Sequence, residues 1–331
     1  MLKKVFYIIF FLVGFEIVSQ PLMRISVENP ESHVQAHVVR VFVEKLQKRL
    51  LGKLSIELYT GAQLFRDQNI VTALATGRVE MAVPGTWQID KHVPEVGIFT
   101  LPEFYGRKSQ DIYFLNSSAL GQLINSRIEE GIGVKVIGDW IDLGHVLIFS
   151  TSNAIRTYND FDSRKIRVAG GMINQWRIKS LGAEPVVIAF PDLPEKLSQG
   201  GIDGVLTSYE TIRSAELWNN GIKNAFEDNQ YFAQYIPMIS IDFWNRLSPD
   251  VQLIIVETWK EGVIDARIEA AISQKESKNL FIKNGGKVYL PTEIELKNIR
   301  QQLINNSNSI RIHVGIPTDV LDSVNDFFKE R

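Results

Sequence analysis

The chain has 331 residues, 45% hydrophobic and 22% charged, with a formal net charge of −2. That balance describes a globular protein large enough for two lobes at roughly 100–200 residues each, and it gives no electrostatic reason for nucleic acid or an anionic membrane surface as partner. The sequence has no cysteine, which excludes disulfides, thiolate chemistry and cysteine-ligated metal centres.

The N-terminus reads as a targeting signal over residues 1–20. Lys3 and Lys4 precede an apolar run over 5–13, Gly14 and Glu16 end it, and Ser19 offers a small residue for cleavage. The run is short beside the roughly 20 apolar residues of a membrane span and fits a secretory leader. The expectation is an exported, periplasmic protein starting near Gln20 or Pro21; an uncleaved N-terminal anchor is the alternative.

From there strands and helices alternate. Residues 22–28 read as a strand. Residues 33–51 read as a helix with Val34, Val38, Val41, Phe42 and Leu46 at helical spacing, ended by Gly52. A strand over 53–59, a helix over 67–76 closed by Gly77 and a strand over 79–83 follow. Such a βαβα order without hairpin signals predicts a parallel or mixed sheet covered by helices. Next come a helix over 110–130, strands over 131–140 and 146–150, and an αβ stretch over 161–204. There one strand ends by presenting Arg167, a second ends at Phe190, and a third follows Ile202-Asp203-Gly204. Residues 235–242 are apolar and extended. Ser248-Pro249 opens a helix that continues to Lys283, with Ser248 as N-cap and Pro249 in the first turn. A strand over 288–290 and helices to Phe328, the first capped by Thr292, close the chain.

Several of these passages, in this order, resemble the solute-binding proteins of tripartite ATP-independent periplasmic (TRAP) transporters, dicarboxylate-binding type. They are Gly52-Lys53-Leu54-Ser55-Ile56 with Gln63-Leu64, Gly77-Arg78-Val79-Glu80-Met81, and Pro94-Glu95 with Phe99-Thr100-Leu101-Pro102. Lys165-Ile166-Arg167-Val168, Leu181-Gly182-Ala183, Ile202-Asp203-Gly204 and Trp244-Asn245-Arg246-Leu247 complete the set. Phe65 stands where the family usually has glycine, and Glu80 where it has aspartate. The resemblance implies an α/β protein of two lobes, each a mixed sheet flanked by helices, with a long helix spanning both and a hinge that closes on ligand. The implied lobes are 22–143 with 233–269, and 144–232 with 270–331. A captured acid would pass to a sodium-driven permease pair, and the binding protein itself would be a monomer.

The resemblance also implies site residues. Arg167 occupies the position that takes the ligand carboxylate, and its planar fork can make two parallel charge-assisted bonds, as a lysine cannot. Phe190 corresponds to an aromatic residue packed on the ligand body. Thr207 sits where many members have asparagine, and His145-Val146 where some have a second arginine, so the pocket is less polar than one for a dicarboxylate or sugar acid. Trp87 and Tyr235 fall near pocket positions and offer stacking area, with plain core as the alternative. Glu28, Gln88 and Asp67 also map there, though Asp67 equally serves as a helix cap. The expected ligand is a monocarboxylate with an apolar or aromatic body.

Other chemistry is thin. His33 and His37 are four apart on one helix, but zinc needs three or four ligands and no further ligand is evident, so packed or exposed histidines are the reading. Neither a nucleophile motif nor a phosphate loop occurs, and no cofactor is expected. An exported hydrolase or lyase on a similar fold, or a sensory binding protein, is the alternative to solute capture.

Overall fold

The computed structural model describes residues 20–329; the targeting signal predicted over 1–20 lies, but for Gln20, outside the described residues. The first alternating segments form β1 (Leu22–Ser26), α1 (Val34–Arg49), β2 (Ser55–Tyr59), α2 (Asp67–Ala75) and β3 (Met81–Ala82), with all three strands parallel. Strands that run parallel need helical crossovers, since a hairpin reverses direction. Met23, Ile25 and Val27 alternate along one face of β1 and its extension. They share a core with Val39, Phe42 and Leu46, which recur at helical spacing on α1.

Short 3-10 turns over Pro94–Thr100 and Pro102–Phe104 lead to α3 (Ser109–Asn116) and α4 (Ala119–Ile132). The single helix expected over 110–130 is therefore two. The Ser118 hydroxyl accepts the Gly121 N–H at 3.4 Å and starts a new helix. β4 (Val134–Val136) is shorter than the expected strand over 131–140, because Gly133 adopts φ +76° as the left-handed stop of α4.

The second sheet collects β5 (Ile141–Ser150), β6 (Lys165–Val168), α5 (Met172–Ser180), β7 (Glu184–Val187), α6 (Leu193–Ser198), β8 (Gly204–Thr207), α7 (Tyr209–Ser214) and β9 (Asn224–Tyr235). The chain then returns to the first sheet with β10 (Met238–Ser240), antiparallel to β3 and β4, and turns through α8 (Ile241–Trp244). α9 (Pro249–Lys283) leads to β11 (Lys287–Tyr289), parallel to β9, and the chain ends in α10 (Glu293–Asn306), α11 (Asn308–Val314) and α12 (Thr318–Lys329). Strand order is β2-β1-β3-β10-β4 in one sheet and β11-β9-β5-β8-β6-β7 in the other. β9, twelve residues long, is absent from the sequence reading. Its middle, Glu227-Asp228-Asn229-Gln230, breaks any apolar alternation, yet nearly the whole strand is buried.

α9 runs unbroken for 35 residues, about 50 Å at 1.5 Å per residue. Near its start Trp259 meets Phe42 of α1 edge to face at 5.1 Å, and farther along Ser273 and Ser277 donate to Glu210 of α7. One helix thus lies along both lobes. Pro249 is its first residue, as expected, while Ser248 has the N-cap backbone but makes no side-chain capping bond.

Candidate functional site

Between β7 and β8, β6 brings Arg167 to the cleft separating the sheets. The side chain is 2% exposed, and its Nε donates to the Ile188 carbonyl at 2.9 Å. Neither Nη group donates to a described residue, and no described carboxylate lies within salt-bridge reach. Burial pushes the guanidinium down to about 10, against the pull of Glu28, Tyr231, Asp67 and Tyr235.

Beside it lies a cavity open to solvent, where the ≈ 430 Å³ of atom-free space includes the solvent at its mouth. Ala169, Phe190, Leu206, Thr207 and Thr211 line it from the side of Arg167, and Glu28, Asn29, Asp67 and Trp87 from the side of the first sheet. Leu143 and Val146 of β5, with Tyr231 and Tyr235 of β9, form the back. Seven of the eight residues read from sequence therefore meet around one space: Arg167, Phe190, Thr207, Trp87, Tyr235, Glu28 and Asp67. Gln88 does not line it. Its Nε2 donates to the Ala169 carbonyl at 3.1 Å, and its side chain borders a neighbouring recess with Gly170 and Gly171. Gly170, at φ +156°, keeps this contact close: a Cβ there would stand 3.1 Å from that amide nitrogen and 3.3 Å from the Trp87 carbonyl, so its neighbours would have to give way by a few tenths of an ångström.

The first-sheet wall is acidic. Asp67 opens α2, but its side chain makes no capping bond. Its carboxyl meets that of Glu28, and its backbone N–H donates to Glu28 Oε1 at 3.2 Å. Burial, with Glu28 next, holds Asp67 well above the usual carboxyl range, opposed by Arg167. The nearby Arg66 is paired to Asp192 at 2.5 Å. Asp192 therefore holds the opposite wall instead of capping α6, where it makes no capping bond.

The rings are held in fixed relation. Trp87 meets Tyr235 edge to face at 5.5 Å, and the buried indole Nε1–H has no hydrogen-bond partner among the described residues. Gly85 makes room for that indole, since a Cβ there would lie 2.3 Å from the ring. Asn29 donates to the Tyr235 hydroxyl at 3.1 Å, and Asn174 to the Tyr231 hydroxyl at 3.4 Å. Tyr231 was missed with its strand. Once β9 is recognised, Tyr231 and Tyr235, four apart, fall on one face.

At the departure Gly144-His145-Val146, β5 turns Val146 into the cavity wall. His145 points into a second cavity with Tyr113, Asp142 and Arg267, its Nε2 bonded to the Arg107 carbonyl at 2.8 Å. The two helix histidines also separate. His33 is the buried N-cap of α1, its Nδ1 accepting the Gln35 N–H at 3.1 Å; His37 is exposed and 3.4 Å from Glu269. Among the described residues no group of three metal-ligating side chains occurs.

Polar contacts cross the cleft around the cavity. Besides Arg66–Asp192, Asp90 accepts the Met172 N–H at 2.8 Å, and Val34 N–H donates to Glu210 at 2.9 Å. The two walls are thus drawn together.

Residues 25–310 match the family model described as bacterial extracellular solute-binding protein, family 7. The C4-dicarboxylate-binding periplasmic protein DctP of Rhodobacter capsulatus is 25% identical over 212 residues, 64% of this chain and 62% of that relative's length. Among solved structures, the sugar acid binding protein DctPAm of Advenella mimigardefordensis in complex with galactonate superposes with a TM-score of 0.87 at 18% identity. That match covers 94% of this chain and 99% of the other. A TRAP periplasmic solute binding protein of Desulfovibrio salexigens with bound orotic acid gives 0.86 at 16% identity, again over 94% and 99%.

Proposed function

The chain belongs to family 7 of the bacterial extracellular solute-binding proteins, the DctP type of TRAP transporters, and from that premise we propose that it captures a small organic carboxylate and delivers it to a TRAP permease. It holds the acid without turning it over, in the periplasm, as a monomer that its leader has exported. The permease pair is sodium-driven. The lobes that close are 22–143 with 233–269, and 144–232 with 270–331.

One observation carries the proposal: a buried guanidinium whose Nη groups have no partner among the described residues, beside a cavity between the two sheets. Burying a charge is costly unless it is paired, and a carboxylate supplies the missing partner with two parallel bonds. C4-dicarboxylate, galactonate and orotic acid, the ligands of the similar proteins, have the carboxylate in common. The ligand is a monocarboxylate with an apolar or aromatic body. Support comes from Val146 and Leu206 beside Phe190, Trp87, Tyr231 and Tyr235, with one arginine in the lining. The acid touches both walls only when they are together, so it shifts an open–closed equilibrium toward closure.

Native mass spectrometry of the purified protein is expected to reveal a co-purified small acid. By isothermal titration, Arg167→Ala should lose about 2–5 kcal/mol of affinity for it, the cost of removing one partner of a buried charge pair, while keeping the wild-type circular dichroism. Unchanged affinity would remove the proposal's central residue.

A further inference from the structure

The cavity is charged asymmetrically. One wall presents the Arg167 guanidinium, and the other the touching carboxyls of Glu28 and Asp67. Each carboxyl attracts the guanidinium, while the two carboxyls repel each other, and no ion pair closes between Arg167 and either acid; the gap is the cavity. Arg66, the other nearby cation, is committed to Asp192 at the rim. With the ligand carboxylate on Arg167, the buried Glu28 and the half-buried Asp67 would be left without a counter-charge, which is costly. A second negative group on the ligand would worsen it. A positive group would relieve it, and the faces of Trp87, Tyr231, Tyr235 and Phe190 also attract a cation.

We infer that the solute is zwitterionic, a compact amino acid or betaine whose carboxylate lies on Arg167 and whose ammonium lies between the Glu28–Asp67 pair and the aromatic rings. The inference rests on the carboxylate reading above and names the ligand's other end.

The test compares rings of one size. Cyclohexanecarboxylate carries the carboxylate alone; pipecolate, nipecotate and isonipecotate add a ring ammonium at three distances; succinate adds a second carboxylate. Titration calorimetry on the full mature chain, unfolded and refolded to remove any co-purified acid, should find at least one piperidine acid binding about tenfold or more tighter than cyclohexanecarboxylate. Succinate should be the weaker of the acyclic and cyclic controls. In Glu28→Gln, which keeps an oxygen to accept the Asp67 N–H, the ratio between the piperidine acid and cyclohexanecarboxylate should fall toward one. Cyclohexanecarboxylate or succinate binding as tightly as every piperidine acid would overturn the inference, as would a ratio unmoved by Glu28→Gln or no binding by any probe. Arg167→Ala separates the two readings. If the preferred acid lacks a cation yet depends on Arg167, only the zwitterion fails; if no bound acid depends on Arg167, the carboxylate reading fails with it.

Discussion

Arg167 and His33 illustrate what a residue type discloses by itself. The arginine was legible because its motif, its strand end and its chemistry coincide. His33 was legible only as a packed or exposed histidine, since nothing in an i, i+4 pair says that one ring will cap a helix while the other faces solvent. Capping consumes the Nδ1 lone pair of His33 and leaves Nε2–H buried without a partner among the described residues, so the neutral ring is favoured and burial pushes its pKa down to about 4. The folded state thus refuses a proton that the unfolded chain accepts near 6.5. Stability is whole above that range and is lost as pH falls from about 6.5 to about 4, by about 3 kcal/mol in total. Asparagine also caps well and does not titrate. The stability of His33→Asn relative to wild type, from urea melts at several pH values, should therefore rise on acidification across this window. A difference independent of pH would contradict the assignment.

Among the elements, those with periodic patterns were legible and those shaped by local caps or polar interruptions were not. α1, β2 and α9 follow from apolar spacing and from Pro249. The break at Ser118 depends on one hydroxyl, and β9 was hidden by its polar centre. That centre is itself consequential: Asp228 is fully buried, accepts from the Tyr105 hydroxyl and from Gln230 at 3.0 Å, and has one oxygen without a partner among the described residues. Burial pushes its carboxyl up to about 7. Here the folded state holds a proton that the unfolded chain releases near 3.8, so stability falls as pH rises from about 4 to 7, by up to about 4 kcal/mol. Asp228→Asn, neutral throughout, should gain stability relative to wild type as pH is raised from 4 to 8 in thermal melts. A constant offset would show that Asp228 is ionised throughout the range. On the same strand Tyr231 and Tyr235 turn to the cavity, so the polar core of β9 lies directly behind its aromatic wall.

At the scale of the molecule, the two-sheet architecture and long helix were legible from element order and from the family's motifs. Which residues share one space was legible only in part. Gln88 sits one residue from Trp87 yet serves the contact between the walls instead of the cavity, because it reaches the Ala169 carbonyl. The contacts Arg66–Asp192, Asp90–Met172 N–H and Glu210–Val34 N–H join elements far apart in sequence, and no linear pattern announces such pairings. They tie the first-sheet side of the cavity to the side that carries Arg167. A crystal structure of the protein with its co-purified acid examines that geometry most directly. The account predicts the ligand's carboxylate oxygens within about 3 Å of the Arg167 Nη atoms. A carboxylate seated elsewhere, such as beside His145 and Arg267, with Arg167 still bonded only to the Ile188 carbonyl, would contradict it.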